Sequence, residues 1–376
     1  MPKNCARLAW KSGWSSFFGP LRKLTMNPQE NASRFAIAPL AGFVEGLFSA
    51  AGLDYDKAAM VAEILIEADM MGHSTHGLAL APAYLDAATT GSMTRSGEPD
   101  VVVDRGACIT WRGKRLPGPW LTARAVDLAL DRVKTYGTVT VAISDSHHIG
   151  ALAAYLPRAT RRGCMLMIAS SMPSLAGVAP FGGTRPVFTP NPMAAGIPTE
   201  GDPILLDVSA SITTLNMSKQ LAKAGKHFPQ PWALDTQGNP SDDPDVVIRQ
   251  GGTLLPVGGL DHGHKGYSWA ILVEALSQGI AGFGRADGPA GTSVSVFIQV
   301  IDPDAFGGQA GFKRQMSWLG DACRNNPPRP GVDAVRVPGE RASALKRQAL
   351  EEGVALSPSI VAGLSIWADR FSMKWP

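Results

Sequence analysis

The sequence predicts an α/β protein whose mixed α/β centre is flanked by helices at its N- and C-terminal ends. Three observations carry the prediction. Amphipathic helical patterns begin after residue 35 and return after residue 340, with short strand-like apolar runs between them. The nearest approach to a glycine-rich nucleotide loop, Gly282-Phe283-Gly284, follows a helical pattern and lacks a third glycine, so no Rossmann fingerprint is present. Residues 35–105 are expected to form an N-terminal helical part, 106–310 an α/β core, and 311–376 C-terminal helices packing on the first part.

Taken in order, Ala36–Ala51 and Asp56–Met71 read as consecutive amphipathic helices, the first stopped by Gly52 and the second capped by Asp54 or Asp56. His73-Ser74-Thr75-His76-Gly77 follows, and a third helix starts near Leu78. Asp100–Asp104 and Cys108–Trp111 are strand-like, Ala123–Tyr136 is helical, and Val139–Ile143 is β-rich. Cys164–Ala169 and Pro203–Val208 read as buried strands. The Gly/Pro-rich stretch Pro173–Pro198 between them is too long for an idle connection. Gly266–Gly282 reads as an apolar helix with Glu274 its single acid, and Ser293–Ile301 as a strand. Glu340–Gly353 and Pro358–Phe371 are the closing helices.

The first 34 residues stand apart. Lys3, Arg7, Lys11, Arg22 and Lys23 precede the first acid, Glu30, a pattern shared by transit peptides and by an extension upstream of a start at Met26. The second reading is preferred, and the segment is expected to be disordered or to precede the true start. Across 376 residues the chain is 45% apolar and 18% charged with net charge +3, an ordinary globular balance. It gives no reason to invoke nucleic acid, and no apolar run is long enough for a membrane span. Cys5, Cys108, Cys164 and Cys323 have no paired spacing, which fits a reducing cytoplasm.

Six of the seven histidines fall in three groups: His73/His76, His147/His148 and His262/His264. Metal ligation would need three or four convergent ligands, and no spacing here supplies them. His76 and His148 instead share a context, each followed closely by glycine after a regular element, where a side chain is exposed and a ligand can approach the backbone. With an ordinary pKa of about 6.5, either can carry a proton near neutrality. Asp207, closing Ile204-Leu205-Leu206, could cap a helix, anchor a loop or orient a histidine. Lys265 opens an apolar helix beside glycines, a position that suits a bound phosphate. The residues alone point to an enzyme with an anion site and histidine acid/base candidates.

Several blocks in one order add to this: Glu67-Ala68-Asp69 before Ser74-Thr75-His76-Gly77; Ser146-His147-His148-Ile149-Gly150; Phe181-Gly182-Gly183; and Thr189-Pro190-Asn191-Pro192. Leu206-Asp207, Pro231-Trp232-Ala233-Leu234-Asp235, Leu254-Leu255-Pro256, Gly263-His264-Lys265-Gly266-Tyr267 and Pro338-Gly339-Glu340-Arg341 complete them. From about Ala36 to Asp369 the chain resembles the type-2 malate/L-lactate dehydrogenase family. That family includes reductases of sulfopyruvate, diketogulonate and cyclic imino acids, and ureidoglycolate dehydrogenase.

The resemblance implies a non-Rossmann, mixed-sheet core binding NAD or NADP, and a homodimer with active sites near the subunit interface. It implies hydride transfer between nicotinamide and C2 of a small 2-oxo or 2-hydroxy acid, or a cyclic imine. His76 would be the proton donor, His148 an acid/base residue, and Asp207 part of the catalytic neighbourhood. Asp207, Val208, Ser209, His264, Lys265, Pro338, Gly339 and Glu340 would line the cofactor, and Thr75 would donate to substrate. One position departs: where family members commonly carry a carboxylate-binding arginine, this chain has Leu80. Arg112, Lys114 and Arg115 are the nearby cations offered in exchange. Otherwise the substrate differs, or the chain is an impaired dinucleotide-binding relative.

Overall fold

The computed structural model describes residues 32–376, so most of the N-terminal extension lies outside the described residues. Ser33 and Arg34, read from sequence as its end, instead open strand β1 (Ser33–Phe35). It pairs antiparallel with β12 (Val354–Leu356), because that C-terminal strand offers it a ladder of backbone partners.

The main sheet has seven strands: β2 (Asp100–Asp104), β3 (Cys108–Arg112), β4 (Thr138–Ser146), β5 (Met165–Ser171), β6 (Pro192–Ile197), β7 (Ile204–Ser209) and β11 (Val294–Ile301). Their order is β2-β3-β4-β11-β5-β6-β7. β3 and β4 run parallel and every other pair is antiparallel, so the sheet is mixed. The parallel pair needs a long crossover, supplied by helix α4 (Gly118–Tyr136). β11 is central and buried along most of its length, which is why Val294–Ile301 reads as a nearly continuous apolar run. β6 emerges from the end of the Gly/Pro-rich stretch, where Pro192 and Gly196 hid its strand character. A small sheet, ordered β10-β8-β9, joins β8 (Ala233–Leu234), β9 (Pro240–Ser241) and β10 (Thr253–Leu254).

The helices at the chain ends pack together. α1 (Ile37–Ala50), α2 (Tyr55–Met70) and α3 (Ala81–Thr90) share one core with α12 (Pro358–Arg370) and β12. Around the sheet lie α5 (Leu156–Thr160), α6 (Leu215–Lys223), α7 (Asp245–Ile248), α8 (Gly259–His262), α9 (His264–Glu274), α10 (Gln309–Arg324) and α11 (Glu340–Glu352). The sheet and α4 enclose a second core through Val126, Leu130, Val141 and Ile298.

Helix α2 belongs to both cores. Its Val61 and Leu65 face the terminal helices, while Ile64 and Ala68 face the sheet core. An helix apolar on two faces is a buried wedge, and its C-terminal end emerges at the seam. Asp54 is the residue before α2 but makes no side-chain cap bond; its carboxylate instead accepts from Lys57 Nζ at 2.9 Å.

Candidate active site

The His73–Gly77 turn is built by α2 itself. Asp69 Oδ2 accepts the Leu78 N–H at 2.6 Å, folding the chain back over the helix end. A Cβ at Gly77 would collide with that carboxylate, so the glycine after His76 is required by packing. The Asp69-to-Gly77 spacing thereby has a local cause. Burial pushes the Asp69 carboxyl up to about 8 despite the Leu78 donor.

The second histidine segment follows β4. Gly118 at the start of α4 lies so close to the His147 and His148 carbonyls that any side chain there would clash. Tyr155 donates its hydroxyl to the Ile149 carbonyl, and Gly150 takes φ +72°, which turns the chain back toward α2. The His76 and His148 rings then face one another with centroids 6.1 Å apart and planes inclined by 24°.

His148 Nδ1 receives two donors: the Gly150 N–H at 3.2 Å and the Tyr84 hydroxyl at 2.6 Å. A nitrogen accepting from a backbone amide carries no proton, so the neutral ring holds its hydrogen on Nε2. Thr75 Oγ1 lies 2.8 Å from His76 Nδ1 and fixes that ring in turn. Burial lowers His76 to about 4, with His73 adding to the effect. Burial lowers His148 to about 3, helped by His76 and His147. Both rings are therefore neutral at pH 7, unlike the ordinary histidine assumed from sequence.

Asp207 lies at the same place through a different contact. Its Oδ2 accepts the Ala153 N–H at 2.9 Å, just beyond the His148 loop. Burial raises its carboxyl, with His73 and the Ala153 N–H acting in the opposite direction. No hydrogen bond joins it to His76 or His148, so its one side-chain bond among the described residues serves the loop and not a histidine. Leu80 sits in a short 3₁₀ turn, half-buried against the terminal-helix core. Arg112, Lys114 and Arg115 line another cavity that contains none of His76, His148 and Asp207.

The remaining candidates lie along β7, the edge of the main sheet. Leu205 N–H donates outward to the Pro338 carbonyl at 3.1 Å, and a Cβ at Gly339 (φ +93°) would stand 2.7 Å from that nitrogen. Antiparallel ladder bonds alternate along a strand, so Asp207 and Ser209 turn their backbone groups to the same free edge as Leu205. Beyond the strand, Val257 N–H donates to the Ala210 carbonyl, and Gly266 packs directly on both, bringing His264 and Lys265 alongside. Pro338–Glu340, Asp207–Ser209 and His264–Lys265 thus form one row about 17 Å long at ~3.3 Å per residue. Two of the amides expected free at the α9 start are spent: Gly266 on Val257 O and Tyr267 on Gly263 O. Glu340 is also engaged, accepting from Val337 N–H and Arg324.

A family model described as malate/L-lactate dehydrogenase matches residues 35–365. The chain belongs to the malate/L-lactate dehydrogenase family. It is 32% identical over 329 residues to a (2R)-3-sulfolactate dehydrogenase (NADP(+)) of Chromohalobacter salexigens, covering 85% of this chain and 93% of that one. Identity to a ureidoglycolate dehydrogenase (NAD(+)) of Escherichia coli O157:H7 is 29%, covering 84% and 90%. The malate dehydrogenase of Entamoeba histolytica superposes with a TM-score of 0.86 at 23% identity, covering 92% and 99%, a likeness of fold.

This chain is a dehydrogenase of the malate/L-lactate family, whose members use nicotinamide cofactors, and its fold is the expected mixed α/β type. Membership also explains motifs that carry structure. Asn191 (φ +47°) accepts from Thr189 Oγ1 at 2.6 Å through Oδ1, and its Nδ2 reaches Glu274 Oε1 at 2.9 Å. Glu274 also takes Ser171 Oγ at 2.8 Å and Arg285 Nη2 at 2.9 Å. Arg285 then binds the Pro173 and Leu175 carbonyls, clamping the start of the Gly/Pro-rich stretch. Tyr84 is the main site residue sequence reasoning missed. A buried tyrosine in an apolar helix needs a hydroxyl partner, and that need was the available signal.

Proposed function

We propose that this dehydrogenase transfers a hydride between NAD or NADP and C2 of a small 2-oxo or 2-hydroxy acid, or a cyclic imine. The observation that carries the reading is the facing of His76 and His148 at the seam between the two cores, beside Asp207. Relatives named for sulfolactate and ureidoglycolate support the acid class. When bound, the nicotinamide supplies the hydride or accepts it.

The residues divide the remaining work. His76 moves the proton at the substrate oxygen or nitrogen, worth roughly 10²–10⁴-fold in rate. His148, locked with its hydrogen on Nε2, donates a hydrogen bond to the same atom. Thr75 and His73 hold the acid group, in place of the arginine that Leu80 replaces. The free edge of β7 fits a dinucleotide because its outward backbone groups, the close approach at Gly339 and the exposed Lys265 offer donors in one row. A homodimer is supported by the exposed edge strand β2, where Val101 and Val102 are each 59% exposed. A cytoplasmic location is supported by unpaired Cys108, Cys164 and Cys323, and no helix among the described residues is long and apolar enough to cross a membrane.

A screen of 2-oxo acids and cyclic imines against NADH and NADPH tests the reading. Turnover of at least one such compound is expected. Tight cofactor binding with no turnover across the screen would instead favour the impaired relative.

A further inference from the structure

The loop joining β3 to α4 holds an unusual backbone. Lys114 and Arg115 take φ +51° and +56°, and Asp145, beside them at the end of β4, takes φ +51°. Side-chain-bearing residues rarely occupy this region, and each is held there against its own backbone preference. The surroundings enforce it. Arg115 N–H donates to Asp145 O at 2.6 Å, and Gly113 N–H to Ser144 O at 2.7 Å. Thr94 Oγ1 donates to Lys114 O at 2.6 Å, and Thr94 N–H to Arg115 O at 3.0 Å.

Beside this loop lies an open cavity of about 370 Å³ lined by Arg112, Lys114 and Arg115. Two acids share it. Asp100 is taken by Lys114 Nζ at 2.7 Å. Asp145 Oδ1 accepts from Ser293 Oγ at 3.0 Å and stands 3.9 Å from Arg115 Nε, too far for a hydrogen bond. Arg112 has no carboxylate partner among the described residues and only approaches the Phe283 ring, at 6.0 Å. Two guanidinium groups thus keep free donors in a cavity of small-ligand size with net charge +1 from three cations and two acids.

We propose that this cavity is a second binding site, taking a small oxyanion such as a phosphate, sulfonate or carboxylate group between Arg112 and Arg115. Planar, always-charged forks suit such groups bidentately. The site lies behind the catalytic pair: His147 N–H donates to Leu116 O at 3.2 Å, and Arg115 is close enough to help hold His147 uncharged. The anion has two possible sources, the distal acid group of a long substrate or a free inorganic anion. The substrate source rests on the proposed reaction; anion binding at the site does not.

Calorimetric titration of the whole protein with inorganic phosphate tests it. Saturable binding at one site per chain is expected, weakened at least tenfold in Arg112→Gln and in Arg115→Asn, with cofactor affinity unchanged. Asparagine tolerates positive φ, so Arg115→Asn keeps the loop, and its thermal midpoint checks this. Phosphate competing with the 2-oxo acid would assign the site to substrate, and non-competitive binding to a free anion. No saturable binding, or binding equal in both variants, would overturn the proposal.

Discussion

The two donors at His148 Nδ1 converge from elements far apart in sequence, Tyr84 on α3 and Gly150 in the loop after β4. The Gly150 N–H leaves the hydrogen of the neutral ring on Nε2, so in the proposed reaction His148 is the fixed donor and His76 gains or loses the proton. The pH dependence follows. In the oxidation direction the base must be neutral, so with His76 held at about 4, kcat/KM should fall only as pH drops toward that value. In the reduction direction the protonated form is needed, so kcat/KM should fall with unit slope as pH rises between about 5 and 7. A titration near 6.5 in both directions would contradict the burial of these rings. Histidine identity and the glycine beside it were legible in sequence; the lowered pKa was not, because it comes from packing contributed by α3, α4 and the partner histidines.

At the scale of elements, two pieces carry distinct loads. Glu274 on α9 gathers Ser171, Asn191 and Arg285 from three separate segments into one partly buried polar cluster. Removing one partner of such a cluster leaves Asn191 and Ser171 short of an acceptor, so Glu274→Ala should cost about 1–3 kcal/mol, read by denaturant unfolding. A cost below about 1 kcal/mol would show the clamp to be incidental. The sequence displayed Glu274 as a single acid in an apolar helix; Ser171 and Asn191 were invisible as partners because they lie 103 and 83 residues away, whereas Arg285 is 11 residues on. The edge of β7 is the second piece. Lys265→Ala should weaken cofactor binding about tenfold, the scale of one charge-assisted contact, with the fold intact. An unchanged dissociation constant would remove Lys265 from the cofactor row. The strand itself was legible as an apolar run ending in Asp207, but its place at the sheet edge depends on non-local pairing with β6.

The whole molecule is two cores joined by α2, with the site at their seam. Helices at both chain ends were legible from their 3.6-residue patterns, and their joint packing was expected. The boundary at residue 105 was not, since β2 (Asp100–Asp104) belongs to the main sheet although its exposed valines and acids carry no core signature. Leu80 shows the same limit: its sequence position suggests the substrate, while its half-buried side chain packs with the terminal helices. His76 follows α2, the helix shared by both cores, while His148 and Asp207 come from the sheet side, after β4 and on β7. The central claim is that His76 moves the substrate proton there. Its most direct test is turnover and cofactor affinity of His76→Ala beside wild type, on whichever 2-oxo acid or imine the wild type reduces. Loss of at least about 10²-fold in kcat with cofactor affinity unchanged is predicted; wild-type kcat in the variant would contradict the account.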